Sequence, residues 1–537
     1  MALSLTACGG GGNSSPAPQS AASIPPTAGV SSVTVSGKIT YDYVPHKDSS
    51  GLDYINTEKR PARGVIVEAI DADGDILAST QTNLNGTYSL TLKPETNISI
   101  RAKAQLLSES ASKWNFKVTD NTQNNQLYAL QGSVTSTGKS ANQSRDLHAA
   151  HGWGGAAYTS IRASAPFAIL DNIYSATEVF SAIDPNIDFP PLEFRWSVNN
   201  RTIAGDKSLG YIGTSAYNPN DSGGAIYILG EENRDTDEYD PHVILHEWGH
   251  YFEHEMSRTD TLGGLHSLND RLDARVAFSE GWSNALSAII IGDPVYRDSS
   301  GQAQKLGFSF NLESKQPVNP GWFNEASIGS ILYDIFDDAA ESADSIAVGL
   351  EPIYSVMRSD SYKNTPVFTT IFAFTDGLRQ SGKIDNAALN RLLDAQSITG
   401  EGPNGNGENN SGAIRSALPV YKEVTYNGPA IHLCSVDDAG VFNKLANREF
   451  IFLNLETAQD VTLSARKSSG DDNRDPDFNI WQGNKLINTS ASSRPGEEIL
   501  NARLEAGDYV IEVYDFFNIN GTGSKRGDGC YNFSVTG

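Results

Sequence analysis

The spacing of apolar residues changes character twice along the chain. From 31 to about 105, short apolar runs such as Gly64–Ile70 are separated by turn residues, a pattern that predicts strands. From about 146 the apolar positions recur at helical spacing, which predicts helices over 161–183 and at about 326–340, 367–379 and 386–396. From about 430 the strand pattern returns. Helices are therefore expected in the middle of the chain, with strands on either side.

These changes divide the chain into four segments. Residues 1–30 form a Gly-, Ser- and Pro-rich tether, a composition typical of flexible linkers. We expect a multidomain fold, with an N-terminal β-sandwich and polar β extension at 31–140, a central mainly α (α+β) domain at 146–420 and a C-terminal β-sandwich at 430–537. Within the first β region, the Asn85–Gly86 pair predicts a hairpin turn.

Composition and charge narrow the classes of function. Hydrophobic residues make up 39% of the chain, which is enough for packed cores and favours a globular protein. The formal net charge of −25 disfavours nucleic acid as a partner, because an acidic surface gains nothing from phosphate backbones. The acidic runs Asp71–Asp75 and Asp471–Asp477 offer closely spaced carboxylates of the kind that bind Ca²⁺, and a plain solvated turn is the competing interpretation of each.

Two of the three cysteines suggest a disulfide. Cys434 and Cys530 lie near the two ends of the last β region, and no CxxC pair exists that would favour a cysteine zinc site or a thioredoxin-like centre. A bond between them would staple that region and would imply an oxidising compartment outside the cytoplasm.

The third cysteine suggests a lipid anchor. The segment Leu5–Cys8 resembles the lipobox of bacterial lipoproteins, which implies lipidation of Cys8 and a cell-surface or outer-membrane location, or otherwise secretion. An incidental cysteine in a disordered N-terminus is the competing interpretation. No run of about 20 apolar residues occurs, so this anchor is the only expected membrane contact.

The sequence Asp240–His254 carries the motif on which a catalytic function depends. Asp240 and a following proline predict the first turn of a helix. His246 and His250 are four residues apart and so share one helix face, where two imidazoles can bind one zinc ion, while Glu247 lies beside them as a general base. The competing interpretation is a solvated helix face, because His242 and His254 extend the same stripe.

A catalytic zinc site needs a third protein ligand and an open position for water. The best candidate is Glu280, in a second apolar helical pattern that ends at Gly292. Asn284 lies one turn later and is placed to hydrogen-bond the far nitrogen of a zinc-bound histidine. From the residues alone, a surface carboxylate remains the competing interpretation of Glu280.

The two segments together resemble the gluzincin zinc peptidases, the thermolysin and fungalysin clan. That resemblance rests on His246–His250, which reads HEWGH, and on Ser279–Asn284, which reads SEGWSN. It implies zinc ligands at His246, His250 and Glu280. Where the fungalysin-like pattern has an aspartate four residues after the ligand glutamate, this chain has Asn284. Where a later family helix carries a transition-state histidine, the aligned residue is Ala326, and Tyr333, Tyr251 and His266 are the candidate replacements.

The flanking β regions carry weaker resemblances. The first is similar to the carboxypeptidase regulatory-like β-domain, and the last, with Ala506–Val513 reading AGDYVIEV, looks like a pre-peptidase C-terminal domain. The expected function is therefore a secreted or surface-anchored zinc metalloendopeptidase that acts on protein or peptide substrates. The alternative is a non-catalytic surface lipoprotein or adhesin on a retired peptidase fold.

Overall fold

The structure is a computed structural model, and it describes residues 30–48, 50–221, 223–313, 317–337, 346–520 and 525–537. Cys8 and nearly all of the predicted tether lie outside these ranges. Strand-rich regions flank a central helical segment, as the apolar pattern predicts. None of the helices in the described ranges has both the length and the apolar character needed to cross a bilayer.

The first region is built almost entirely of strands. They are β1 Val33–Tyr43, β2 Glu58–Pro61, β3 Val65–Ile70, β4 Ile76–Gln81, β5 Thr87–Leu92, β6 Asn97–Glu109, β7 Lys113–Asp120, β8 Gln126–Leu127, β9 Ala129–Gln131, β10 Thr135–Ser136, β11 Asn142–Ser144 and β12 Leu147–Ala149. One sheet of this region has the order β11-β1-β12, with β2 and β5 also paired to β1.

The turn at Asn85–Gly86 is not the hairpin that the sequence predicts. Asn83 Oδ1 accepts hydrogen bonds from the backbone N–H groups of Asn85 and Thr87, so the turn itself forms. The strands on either side of it belong to different sheets, however, because β4 pairs with β3 and β5 pairs with β1. The chain therefore changes sheets at this turn.

The central region contains the longest helices. Its elements are α1 Ala165–Ile183, β13 Leu192–Trp196, β14 Ala216–Asn218, β15 Ala225–Ile228, β16 Gly230–Glu231, β17 Asp235–Thr236, α2 Pro241–Met256, α3 Ala274–Ile291, β18 Val295–Ser300, β19 Leu306–Asn311, α4 Glu325–Phe336, α5 Leu350–Arg358, α6 Asp360–Lys363, α7 Ile371–Ser381 and α8 Asn386–Ala395. Helix α1 begins four residues later than predicted. Pro166 occupies its first turn, while Arg162 is held outside the helix by Gly230 O and Glu238.

One large sheet links the first region to the central one. Its strand order is β14-β15-β13-β7-β6-β3-β4, with β13 parallel to β7. This large sheet therefore contains strands from both sides of the domain boundary predicted between 140 and 146. Helices α1, α2 and α3 and this sheet contribute to one continuous apolar core, which includes Phe116, Phe180 and Trp248.

The last region consists of two sheets around a core of their own. Its elements are β20 Tyr421–Glu423, β21 Ile431–Ser435, β22 Arg448–Leu455, β23 Gln459–Ser469, β24 Pro476–Gln482, β25 Lys485–Ser490, β26 Glu497–Leu504, β27 Gly507–Asp515, α9 Phe516–Asn520 and β28 Gly529–Thr536. The sheet orders are β20-β22-β27-β24-β25 and β21-β28-β23-β26. Leu453 and Ile511 from the first sheet share a core with Leu463 and Phe533 from the second.

The predicted disulfide is present in this region. Cys434 on β21 and Cys530 on β28 are bonded, and they are directly opposite each other in the antiparallel ladder. The bond therefore fastens the final strand of the described chain to the first strand of its sheet.

A buried ion pair joins the last region to helix α3. Arg275, in the first turn of α3, donates to Asp273 and to Glu512 of β27, with 2.7 Å between Arg275 Nη2 and Glu512 Oε1. Arg448 lies 3.0 Å from the same Glu512 oxygen. Burial alone would raise the pKa of Glu512, but the two guanidinium groups outweigh it and lower the pKa to about 2.

We expect Glu512→Ala to lower the free energy of unfolding by about 3–5 kcal/mol, because it leaves the buried Arg448 guanidinium without its carboxylate partner and removes one of the two carboxylates that pair with Arg275. Chemical denaturation measured by circular dichroism tests this. Asp460→Ala, which breaks an exposed pair with Arg503, serves as the control and should cost less than about 1 kcal/mol. Equal losses from the two variants would contradict a structural role for Glu512.

Candidate functional site

Helix α2 begins where the sequence predicts, but its cap is not the predicted one. Asp240 occupies the position before Pro241, yet its side chain makes no capping bond to the helix. Its carboxylate instead accepts from the backbone N–H and the hydroxyl of Ser299 on β18. Asp240 thus joins α2 to the neighbouring sheet, while Pro241 sets the backbone of the first turn.

The three predicted zinc ligands come together at one point. His246 and His250 project from adjacent turns of α2, and Glu280 projects from α3. His246 Nε2 and His250 Nε2 are 3.1 Å apart. Glu280 Oε2 is 3.2 Å from the first nitrogen and 3.3 Å from the second.

These spacings suit a tetrahedral metal ion. Ligand atoms at 2.0–2.1 Å from a tetrahedral zinc are separated by about 3.3–3.4 Å. Glu280 Oε2 is buried and makes no hydrogen bond to the described residues, although two imidazole nitrogens of α2 lie within 3.3 Å. A buried carboxylate oxygen in these surroundings needs a partner, and a cation between the three side chains would provide it. The donor set of two imidazoles and one carboxylate is one that zinc takes in catalytic sites.

The carboxylate of Glu280 and the neighbouring imidazoles stabilise each other's charged forms. Burial opposes ionisation of Glu280, but the neighbouring histidines, His250 first, outweigh it and hold the pKa of Glu280 well below its usual range. Burial likewise opposes the protonation of His250, whereas Glu280 and the nearby carboxylates raise the pKa of His250 to about 9. In the absence of a metal, the carboxylate is thus stabilised by positive imidazole.

The far nitrogens of both histidines are held by α3. His246 Nδ1 lies 2.9 Å from Asn284 Oδ1, which is the contact expected of this asparagine. His250 Nδ1 lies 3.1 Å from Ser279 Oγ, and that hydroxyl donates to Glu253 Oε2 at 2.5 Å. Burial raises the pKa of Glu253 to about 7. Both imidazoles are therefore oriented so that Nε2 faces Glu280.

Glu247 lies at the wall of a cleft and has one backbone partner. Its Oε2 accepts from Tyr217 N on β14, at 2.8 Å. The cleft has a volume of about 410 Å³, and Glu247, His246 and Asn284 are among the residues that line it. Glu247 is thus placed beside the three candidate ligands without being one of them.

His266 enters the same site from the segment between α2 and α3. Its Nε2 lies 3.3 Å from Glu280 Oε2, and its Nδ1 is paired with Glu325 Oε2 at 2.7 Å. Burial lowers the pKa of His266, but the bond to Glu325 and the charge of Glu280 outweigh it and raise the pKa to about 9. In the absence of a metal, the imidazole is therefore protonated on both nitrogens at neutral pH. His266 also borders the cleft.

The other candidate replacements for the missing family histidine do not lie in this position. Tyr251 donates to Pro190 O at 2.5 Å and is fully buried. Tyr333 is buried in α4, with its ring against Phe336. Ala326 follows Glu325 directly, so the helix that resembles the family's later helix contributes a carboxylate partner for His266 instead of a histidine.

The histidine stripe of α2 is not a solvated face. His242 is 2% exposed, and its Nε2 lies 3.1 Å from Asp293 O. Of the four histidines, only His254, beside Tyr217 and Glu255, is exposed. The buried position of His246 and the half-buried position of His250 argue against the solvated-face interpretation.

Helices α2 and α3 approach closely because two small residues meet between them. A Cβ atom added at Gly249 would lie 2.8 Å from Ser283 Oγ and 2.9 Å from Ser283 Cα. The Trp282 indole donates to Gly249 O at 3.1 Å across the same contact. This contact fixes the distance between the helix that carries the histidines and the helix that carries Glu280.

Residues 213–382 match the family model described as the Mycolysin C-terminal domain. That range contains all the site residues described above, and the match relates the region to peptidases of a kind typical of secreted proteins. It covers about a third of the chain. No curated protein matches the sequence.

Several solved structures resemble parts of the chain weakly. The pre-peptidase C-terminal domain of a collagenase from Bacillus anthracis is 15% identical, covers 21% of this chain and 93% of its own, and has a TM-score of 0.17. The periplasmic lysozyme inhibitor PliG from Aeromonas hydrophila is 16% identical, with coverages of 21% and 96% and a TM-score of 0.14. A β-glucosidase from Paenibacillus barengoltzii is 9% identical, with coverages of 94% and 69% and a TM-score of 0.13. TM-scores this low do not establish a shared fold.

Sequence reasoning missed the residues that support the ligands. Ser279 could have been found, since it belongs to the SEGWSN segment and lies four residues before Ser283, so that the two hydroxyls share one helix face. The roles of Glu253 and of the Tyr217 backbone N–H have no sequence signal, because they depend on contacts between elements far apart in the chain.

We expect Gly249→Ala to lower the free energy of unfolding by about 1–3 kcal/mol, since the added methyl group would collide with the backbone of α3. Thermal and chemical denaturation test this. Gly377→Ala is the control, because the Cβ atom there would meet only the side chain of Val356. A Gly249 variant as stable as the wild type would show that α2 and α3 are not held at their limit of approach.

Proposed function

We propose that this protein is a zinc-dependent peptidase that hydrolyses internal peptide bonds. The observation that carries the proposal is the meeting of His246 Nε2, His250 Nε2 and Glu280 Oε2 within 3.3 Å of one another, beside a cleft that Glu247 lines. His246, His250 and Glu280 would hold the ion. The relation of residues 213–382 to a peptidase family supports the same conclusion.

An extended backbone beside Glu247 supports a peptide substrate. Strand β14 is an edge strand of the large sheet, and among the described strands it is paired only with β15. Its Tyr217 N–H is occupied by Glu247. A peptide laid along this edge would hydrogen-bond outward backbone groups other than Tyr217 N–H, while its carbonyl groups pass the candidate base.

When bound, zinc would polarise the scissile carbonyl and make a water molecule more acidic. Glu247 would accept a proton from the attacking water as the water oxygen bonds to the scissile carbonyl carbon, and it would deliver that proton to the nitrogen that leaves when the C–N bond breaks. The bond from Tyr217 N to Oε2 fixes the carboxylate rotamer and leaves Oε1 for the proton. Asn284, Ser279 and Ser283 keep the two imidazoles in place.

His266 supplies the positive charge that the family places on another helix. The Nδ1 of His266 is held by Glu325, so its Nε2–H can donate to the oxygen on which negative charge develops. In this role His266 replaces the residue that is missing at Ala326.

The compartment follows from the disulfide and the family relation. A bond between Cys434 and Cys530 persists in oxidising surroundings, so we place the protein outside the cytoplasm. Lipidation of Cys8 would anchor it to a membrane surface; a secreted form without the anchor is the other possibility within this proposal.

Glu247→Gln should retain zinc and lower kcat by about 10²–10⁴-fold, because it removes the proton acceptor and leaves the three ligands intact. Cleavage of casein or a fluorogenic peptide, with zinc measured by atomic absorption, tests this. His246→Ala is the contrasting variant and should lose the metal on dialysis.

A Glu247→Gln protein with full turnover would refute the role of the base. Wild-type protein that holds one zinc ion per chain but cleaves no peptide would favour the retired-peptidase alternative. These two outcomes are distinct, because the first concerns one residue and the second concerns the activity itself.

His266→Ala should lower kcat by about 10²–10³-fold with little change in KM or zinc content, as expected for a group that acts on developing charge. Steady-state kinetics and metal analysis test this. Loss of zinc from the variant would instead make His266 a fourth ligand, which is the arrangement of a structural zinc site.

A further inference from the structure

A second group of carboxylates lines the same cleft. Asp235 on β17, Asp237 just after it and Asp298 on β18 each offer an oxygen, and these oxygens lie within 4.8 Å of one another. The sheet explains the grouping, because Asp235 is paired with Ser300 and the side chains two residues further along each strand face the same way. Continuing this register places Asp237 opposite Asp298.

The three side chains repel one another unless something lies between them. Burial raises the pKa of Asp235 to about 7 and that of Asp298 to about 8, and the charge of Asp240 adds to both shifts. Among the described residues, no lysine or arginine forms an ion pair with any of the three. Like charges directly opposite in a sheet are destabilising, so without a cation the carboxylates relieve their repulsion by taking up protons.

Asp237 has an oxygen that needs a partner. The residue is 3% exposed, and its Oδ2 accepts a hydrogen bond from Ser215. Its Oδ1 is buried and has no hydrogen-bond partner in the described part of the chain, and the same holds for Asp235 Oδ1. Buried acceptor atoms in folded proteins rarely lack a hydrogen-bond partner.

We propose that Asp235, Asp237 and Asp298 form a calcium site in the wall of the same cleft. The ligand set consists of oxygen only, which suits Ca²⁺ and not the nitrogen and sulfur preferences of zinc. Ligands on opposite sides of one Ca²⁺ ion are about 4.6–5.2 Å apart, so oxygens within 4.8 Å of one another can share it.

The ion has a structural consequence for the cleft. It would bind β17 to β18 beyond the single residue pair that joins them, and β17 leads directly into α2, which carries His246 and Glu247. Bound calcium would therefore stabilise the wall of the cleft and the first turn of α2. This site is separate from the exposed acidic turn at 71–75 and from the partly buried acidic segment at 471–477.

The test uses the full chain, stripped with a chelator and then loaded with zinc. Titration with Ca²⁺ by calorimetry should show about one bound ion per chain, and the melting temperature should rise by several degrees. Asp298→Asn and Asp235→Asn should each abolish both effects. Without calcium, Asp298→Asn should melt at or above the stripped wild type, because it relieves the repulsion.

Two matched variants locate the ion. Asp73→Asn, in the exposed turn between β3 and β4, should bind calcium like the wild type. Glu247→Gln should do so too, since the readout does not depend on peptide cleavage. Absence of calcium binding by the wild type would overturn the proposal, as would normal binding by both Asp298→Asn and Asp235→Asn or loss of binding by Asp73→Asn. If the wild type binds no calcium but prefers substrates with lysine or arginine, the three aspartates would instead bind a basic side chain of the substrate.

Discussion

The close contact between α2 and α3 is the constraint on which the site depends. Two ligands lie on one helix and the third on the other, so their separation is set by how near the two backbones can come. Gly249 allows that approach, and the hydrogen bond from Trp282 to Gly249 O holds it. The HEWGH and SEGWSN segments therefore carry packing residues as well as ligands: the glycine, the tryptophan and the serines build the interface that brings the charged groups together.

The sequence correctly predicted the features that depend on residues close together in the chain. The helix that follows Asp240 begins at Pro241, and the helix that carries Glu280 ends at Gly292 in the left-handed conformation that favours glycine. The spacing of four between His246 and His250, and the position of Asn284 one turn after Glu280, likewise needed only helical geometry. The pairing of Cys434 with Cys530 could be anticipated because the two cysteines bracket one strand-rich region.

Contacts between segments far apart in the chain could not be predicted from local sequence patterns. The turn at Asn85–Gly86 has the residues of a hairpin, but which sheet each flanking strand joins depends on partners far along the chain. Asp240 has the side chain of a cap but bonds to Ser299 instead. His266 was one of three candidate replacements in the sequence, and its contact with Glu325, 59 residues later, distinguishes it from Tyr251 and Tyr333.

The shared sheet has a consequence for how the chain can be divided. Strand β13, which leads towards the cleft, is hydrogen-bonded on one flank to β7 from the first region, and Phe194 of β13 is fully buried. A shortened protein that began near residue 146 would lack β7. The backbone groups on that side of β13, and the apolar residues next to them, would then be exposed to solvent. Exposed strand edges of this kind tend to pair with strands of other chains. The first region is therefore part of the sheet to which β13, β15 and β14 belong.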